Sequence, residues 1–205
     1  LLEGLITPRE AASHYAQLAE AVLTTVFDLV HQNFVVKYGR ILGSDCAILA
    51  MGSLGAGQLN SRSDLDMILI FDADVNAQSD GAKPLSCRLY FSRLTQALIT
   101  ALTAPTAHGR LYEVDMRLRP SGRAGPVATS LAGFESYQRA EARTWEHLAL
   151  TRGRPITGRA MFREAVERLR QQILDEKADS ASILNGLRDM RARLAEEKPQ
   201  SGLWD

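Results

Sequence analysis

Residues 64–71 (DLDMILIF) constrain the fold more than any other stretch of the chain. Their far half is apolar at consecutive positions, so a strand here has both faces covered and sits centrally in a sheet. Just before it lies a Gly- and Ser-rich loop, 52–62 (GSLGAGQLNSR), and before that a short apolar run, 45–51 (DCAILAM), that reads as a second buried strand. The pattern around this pair predicts an α+β fold, with a small mixed β-sheet flanked by helices and a mainly helical carboxy-terminal part. At 205 residues the chain has room for one good-sized domain with a helical appendage. We expect a core over 1–128 and a helical extension over 129–205, cut before a further helical domain.

The flanking elements follow from caps and periodicity. Thr7, Pro8 and Glu10 make a capping box with proline in the first turn, and Gly39 is a plausible stop. Between them Tyr15, Leu18, Val22, Val26, Leu29 and Val30 recur near helical period and mark the expected inward stripe. A polar loop over 72–84 leads into a helix over 84–103, with Leu85, Leu89, Leu94, Leu98 and Leu102 directed inward. Residues 111–119 read as a third strand: Tyr112, Val114, Met116 and Leu118 on a core face, Glu113, Asp115, Arg117 and Arg119 on a polar one. A turn over 122–125 follows, then helices over 131–142, 144–151, 159–177 and 181–197, the last striped by Leu184, Leu187, Met190 and Leu194.

The chemistry concentrates on the acidic positions. Asp64 and Asp66 stand at i and i+2 of a strand, on one face and roughly 6.5–7 Å apart at Cβ. Carboxylates that close repel when ionised, and a divalent cation relieves them. Mg²⁺ takes one or two carboxylates and completes its shell with phosphate oxygens and water. Gly52 lets backbone N–H groups approach phosphate, and Ser53 adds a hydroxyl, with Ser63 a further nucleotide-binding candidate. Two solvated aspartates at a strand end are an equally ordinary reading of Asp64 and Asp66 alone; the Gly52-Ser53 turn and a third acid, Asp115, favour the metal site. Arg117 and Arg119 either clamp phosphate or form structural ion pairs with Glu113 or Asp115.

Composition narrows the partners. Lys plus Arg and Asp plus Glu both number 24, a balance that disfavours a protein gripping long nucleic acid. Cys46 and Cys87 form no CxxC pair, and His14, His31, His108 and His147 show no metal-ligand spacing. Without a membrane-length apolar run or a signal peptide, the expectation is a cytoplasmic protein with no membrane partner.

Two segments, MGSLGAGQLNSRSDLDMILIFD and GRLYEVDMRLRPSGRAGPVATS, resemble the catalytic core of the glutamine synthetase adenylyltransferases, of the polymerase-β-like nucleotidyltransferase superfamily. The resemblance runs from about residue 45 to 158 and more loosely to Asp205. It implies the nucleotidyltransferase fold, ATP as substrate, Mg²⁺ or Mn²⁺ as cofactor, and glutamine synthetase as protein substrate. PII signalling protein and glutamine would regulate the full-length enzyme. Carried over by position, Gly52 and Ser53 match the phosphate turn, Asp64 and Asp66 the metal pair, and Asp115 the third carboxylate. Where the family commonly has Lys, this chain has Ser53, which keeps a donor and loses a charge. Trp145-Glu146-His147 resembles the adenylylating half of such enzymes, with Trp145 expected to pack inward while Glu146 and His147 bond to loops. Arg152 and Arg154 either contact phosphate or lie solvated at the surface. The expected reaction is transfer of AMP to a tyrosine hydroxyl. The alternatives are phosphorolytic removal of that AMP and a noncatalytic nucleotide-sensing or docking role.

Overall fold

The computed structural model describes residues 5–107 and 109–178, together with 184 and 186–188. His108, Met190, Leu194 and the segment from Lys198 to Asp205 lie outside the described residues.

Helix α1 (Pro8–Tyr38) starts as its capping box requires: Thr7 N–H donates to Glu10 Oε2 at 2.7 Å and Glu10 N–H to Thr7 Oγ1 at 3.2 Å. It ends at Gly39, whose φ of +77° a side chain would resist. Strand β1 (Asp45–Ala50) runs antiparallel to β2 (Leu65–Asp72), with the short helix α2 (Gly52–Gly55) between them. Helix α3 (Cys87–Thr103) leads to β3 (Val114–Asp115), β4 (Ala128–Ser130), helices α4 (Leu131–Ala140) and α5 (Thr144–Leu150), strand β5 (Arg154–Pro155) and helix α6 (Ala160–Glu176).

The sheet is mixed, in the order β3-β2-β1-β5, with β4 also on β2. Both β3 and β4 run parallel to β2, β3 at its start and β4 along its far half. Side-chain alternation along β1 and β2 feeds two cores. Ile48, Ala50, Leu65, Met67, Leu69 and Phe71 pack with Leu23, Phe27, Leu94 and Leu98 of α1 and α3. Ala47, Leu49, Met51, Ile68 and Ile70 pack with Phe134, Leu150, Val166 and Ile173 of α4–α6. The run of consecutive apolar residues in β2 is therefore explained: the strand is covered on both sides. Burial of a Leu or Ile in either core stabilises the fold by ~1.5–3 kcal/mol.

Four expectations need correction. The inward face of α1 is Ala11, Ala16, Ala19, Leu23, Phe27 and Phe34, while Tyr15, Leu18 and Leu29 are exposed; small alanines let the helix approach closely, and the eye follows the larger residues. In α3, Leu89 is exposed and Tyr90 and Phe91 are buried instead. The third strand pairs over Val114–Asp115 alone, because the chain turns at 117–120. As a result Leu118 leaves the core face of Tyr112, Val114 and Met116 and packs beside the α4–α6 core. Trp145 is partly exposed, and Glu146 takes the buried position in α5. Of the last expected helix, Leu184 and Leu187 are helical and exposed, and its other positions lie largely outside the described residues.

Candidate active site

The register of β2 and β3 sets the site. Leu65 pairs with Val114 and Asp66 with Asp115, so these two aspartates are neighbours on adjacent parallel strands. Strand spacing puts their backbones about 4.8 Å apart. Leu65 N–H donates to Glu113 O at 2.9 Å and Met51 N–H to Asp66 O at 2.8 Å, which fixes the start of β2 on both sides. By alternation Asp66 shares the face of Ile68 and Ile70, the one covered by α4–α6. Asp64 lies exposed just before the strand.

Gly52 brings α2 against Asp66. Its φ is +53°, and a Cβ there would fall on the Asp66 carboxylate at Oδ2. Only glycine permits both the backbone angle and the approach. Ser53 follows in the same turn, half-buried, its carbonyl accepting from Gln58 N–H at 2.9 Å. Ser63 closes the loop leading into β2: its Oγ accepts from Asn60 N–H at 3.0 Å while Asn60 Oδ1 accepts from Arg62 N–H at 2.8 Å.

The carboxylates are charged unequally. Burial first, then the charges of Asp115 and Asp64, push the Asp66 carboxyl above its ordinary value, with Arg117 opposing. Asp115 is held below its ordinary value, chiefly by Arg117. Arg117 N–H reaches Asp115 Oδ1 at 2.8 Å, Arg117 Nε reaches Oδ2 at 2.6 Å, and Nη2 also pairs with Oδ2. Arg117 thus pairs with Asp115 and acts on Asp66 and Asp64 by charge alone. Among the described residues no group of three or more His, Cys, Asp or Glu is placed to hold a metal ion by itself. An open site of hard oxygens with unrelieved repulsion at Asp66 still fits Mg²⁺ or Mn²⁺, which takes few protein ligands when a nucleotide supplies the rest.

The remaining expectations divide. Of the two readings offered for Arg117, the ion pair with Asp115 is the observed one. Glu113 pairs with Arg110 at 2.6 Å instead. Arg119 is turned into its own loop, donating to Met116 O at 2.8 Å and, at 3.3–3.4 Å, to the carbonyls of Arg123 and Gly125. Its guanidinium braces the turn after β3. Sequence reasoning missed Arg123, whose charge also lowers Asp115; it sits in a 3-10 turn that periodicity does not reveal. In α4–α5, Glu146 accepts from Tyr137 Oη at 2.7 Å and from Arg143 N–H at 2.9 Å, and His147 Nε2 donates to Gln138 O at 2.9 Å. These bonds make the Glu146 and His147 pair a brace between helices. Arg154 forks onto Glu20 at 2.7 and 3.0 Å, and Arg152 is exposed.

Among the described residues no helix is long and apolar enough to cross a membrane. A family model described as glutamate–ammonia ligase adenylyltransferase matches residues 2–169. Three relatives are each described as a bifunctional glutamine synthetase adenylyltransferase/adenylyl-removing enzyme. The protein of Bradyrhizobium diazoefficiens is 48% identical, that of Rhodopseudomonas palustris (strain BisB5) 47%, and that of Rhizobium meliloti 47%. Each match covers 100% of this chain and 21% of the relative, so the chain spans about a fifth of their length.

Proposed function

Since the chain belongs to the glutamate–ammonia ligase adenylyltransferase family, we propose that it is the nucleotidyl-transferring part of such an enzyme, moving AMP from ATP to a tyrosine hydroxyl of glutamine synthetase. The observation that carries this reading is the pairing of Asp66 with Asp115 across parallel strands, with the Gly52 turn pressed onto Asp66.

Asp66 and Asp115, joined by Asp64, would hold Mg²⁺ or Mn²⁺. The bound ion supplies charge neutralisation on the triphosphate and acidifies the attacking hydroxyl. The Gly52-Ser53 turn receives phosphate oxygens on backbone N–H groups and the Ser53 hydroxyl. Asp115 accepts the hydrogen bond of the incoming phenol, whose ordinary pKa is about 10, and takes its proton. The phenolate oxygen bonds to the α-phosphorus as the bond from that phosphorus to the β-bridging oxygen breaks, and pyrophosphate leaves with the electron pair. Arg117, beside Asp115, would neutralise charge developing on phosphate. The work is positioning and electrostatics rather than covalent catalysis.

The test is label transfer: the chain, Mg²⁺, ATP labelled at the α-phosphate and unmodified glutamine synthetase, beside an Asp64→Asn control. Label on the synthetase with the intact chain alone supports the proposal. ADP released from adenylylated synthetase and phosphate, with no forward labelling, would assign the chain to the adenylyl-removing direction. Silence in both directions would favour a noncatalytic docking role.

A further inference from the structure

We propose that the groove behind α2 is a docking site for an acidic segment of the protein acceptor, a proposal that rests on the adenylyl-transfer reading. The groove encloses about 730 Å³ between α2, the turn after α5, β5 and one face of α6. Five arginines line it. Two are already neutralised, Arg154 by Glu20 and Arg170 by Glu167. Among the described residues Arg152, Arg163 and Arg168 pair with no carboxylate, and Glu164 is the remaining acid in the wall. In a chain whose charges balance overall, 24 against 24, this is a local excess of positive charge with hydrogen-bonding forks that match carboxylates.

Two features favour an extended protein segment. Arg163 and Arg168 are five residues apart on α6, about 7.5 Å along its axis. Five residues is also about 140° of turn around the helix, so the two side chains leave α6 in different directions and a segment lying in the groove meets guanidiniums from both sides. β5 is the sheet edge in this wall of the groove, and its Pro155 has no N–H to give, which favours recognition by charge over strand addition there.

The groove is also joined to the reaction. Helix α2 is a shared wall: Gly52 at its first position touches Asp66, and Gly55 at its last lines the groove. Three residues of helix separate the two, about 4.5 Å of rise. Gly55 has no room for a side chain, since a Cβ there would strike the carbonyls of Arg152 and Ala50. A segment bound on the arginines is therefore held one short helix away from the carboxylate pair.

The experiment measures binding and transfer separately. A fluorescein-labelled peptide of alternating Glu and Gly, and its Lys counterpart, are titrated with the chain and with an Arg152→Glu/Arg163→Glu/Arg168→Glu variant, whose melting temperature is checked against wild type. Immobilised glutamine synthetase is titrated with the same proteins. The acidic peptide should bind wild type, the lysine peptide should not, and the variant should lose about tenfold or more for both the acidic peptide and the synthetase. Transfer at saturating synthetase should be retained in the variant, as should its KM for ATP. Equal binding by variant and wild type, or a synthetase interaction that the acidic peptide fails to compete, would overturn the proposal. A rise in the KM for ATP would do so too, by giving the groove to the nucleotide. Loss of transfer in wild type with synthetase binding intact would count against the adenylyl-transfer reading and leave the docking groove standing.

Discussion

The β1–β2 pair carries carboxylates at both ends, and the two ends treat them differently. At one end Asp45 faces Asp72, and Arg159 grips Asp45 with Nε to Oδ1 at 2.6 Å and Nη2 to Oδ2 at 2.5 Å. At the other end Asp66 faces Asp115 with Asp64 close by, and Arg117 binds Asp115 alone. The first end draws its cation from a residue 114 positions away in sequence, which pairs Asp45 directly and leaves Asp72 exposed to solvent. The second leaves Asp66 beside like charge, its carboxyl raised. A cavity of about 570 Å³ lies at the Asp45 end, yet its carboxylate is already neutralised, so enclosure alone misleads about where chemistry occurs. Unmet charge at the shallower end is the better guide.

The largest expected effect separates the ends outright. Asp66→Asn should lower label transfer by at least about a thousandfold, the scale of losing a metal-held transition state, while Asp45→Asn should leave it within about twofold of wild type. The same Asp66→Asn change relieves repulsion, so the melting temperature of the metal-free chain should hold or rise by about 2–4 °C, a common trade at functional sites. A loss of transfer of equal size in both variants would break the comparison.

Gly52→Ala comes next. A methyl group at φ +53°, aimed at Asp66 Oδ2, should cost about 1–3 kcal/mol of stability and about a hundredfold in transfer through a displaced carboxylate. Denaturant unfolding beside the transfer assay measures both.

Arg117→Ala should lower transfer about tenfold to a hundredfold. It should also move the acid limb of the pH–rate profile upward, because Arg117 is the main cause of the depressed Asp115 carboxyl. The two carboxyls also predict opposite stability trends. Asp66 is raised, so the native state holds its proton longer than the unfolded chain; stability falls as pH climbs from the ordinary value of 3.8 through the raised one. Asp115 is lowered, so its contribution is present above 3.8 and is lost as pH falls through the depressed value. Melting curves from pH 3 to 7 should lose the first trend in Asp66→Asn and the second in Arg117→Ala.

The smallest effect belongs to the closed end. Arg159 is 70% exposed, so Arg159→Ala should cost less than about 1 kcal/mol and leave transfer unchanged. A loss of activity there would mean that the Asp45 end takes part in the reaction.

Legibility in the sequence followed the strength of local signals. The capping box of α1, the double-sided apolar run of β2 and the boundaries of α4, α5 and α6 were readable, because each rests on neighbours within a few residues. Strands β4 and β5, three and two residues long, are too short for any period and exist only because β2 and β1 offer them edges. The convergence of Asp66 and Asp115 depends on β2 and β3 being neighbours in the sheet, a matter of tertiary structure that no local pattern encodes. Alternation would carry Arg119 onto the polar strand face only if the strand ran on past Asp115, and the chain turns instead; Trp145 is exposed because Glu146, with two hydrogen-bond partners, takes the buried position. The arginines of the groove are separated by the length of the α5–α6 connection and gave no linear pattern.

The central claim is that the Asp66–Asp115 end of the sheet holds a divalent cation and the Asp45 end does not. Mn²⁺ titration followed by electron paramagnetic resonance, on wild type, Asp66→Asn and Asp45→Asn, reads this without catalysis. The account predicts Mn²⁺ bound equally by wild type and Asp45→Asn and lost in Asp66→Asn. Undiminished binding in Asp66→Asn, or loss in Asp45→Asn, would contradict it.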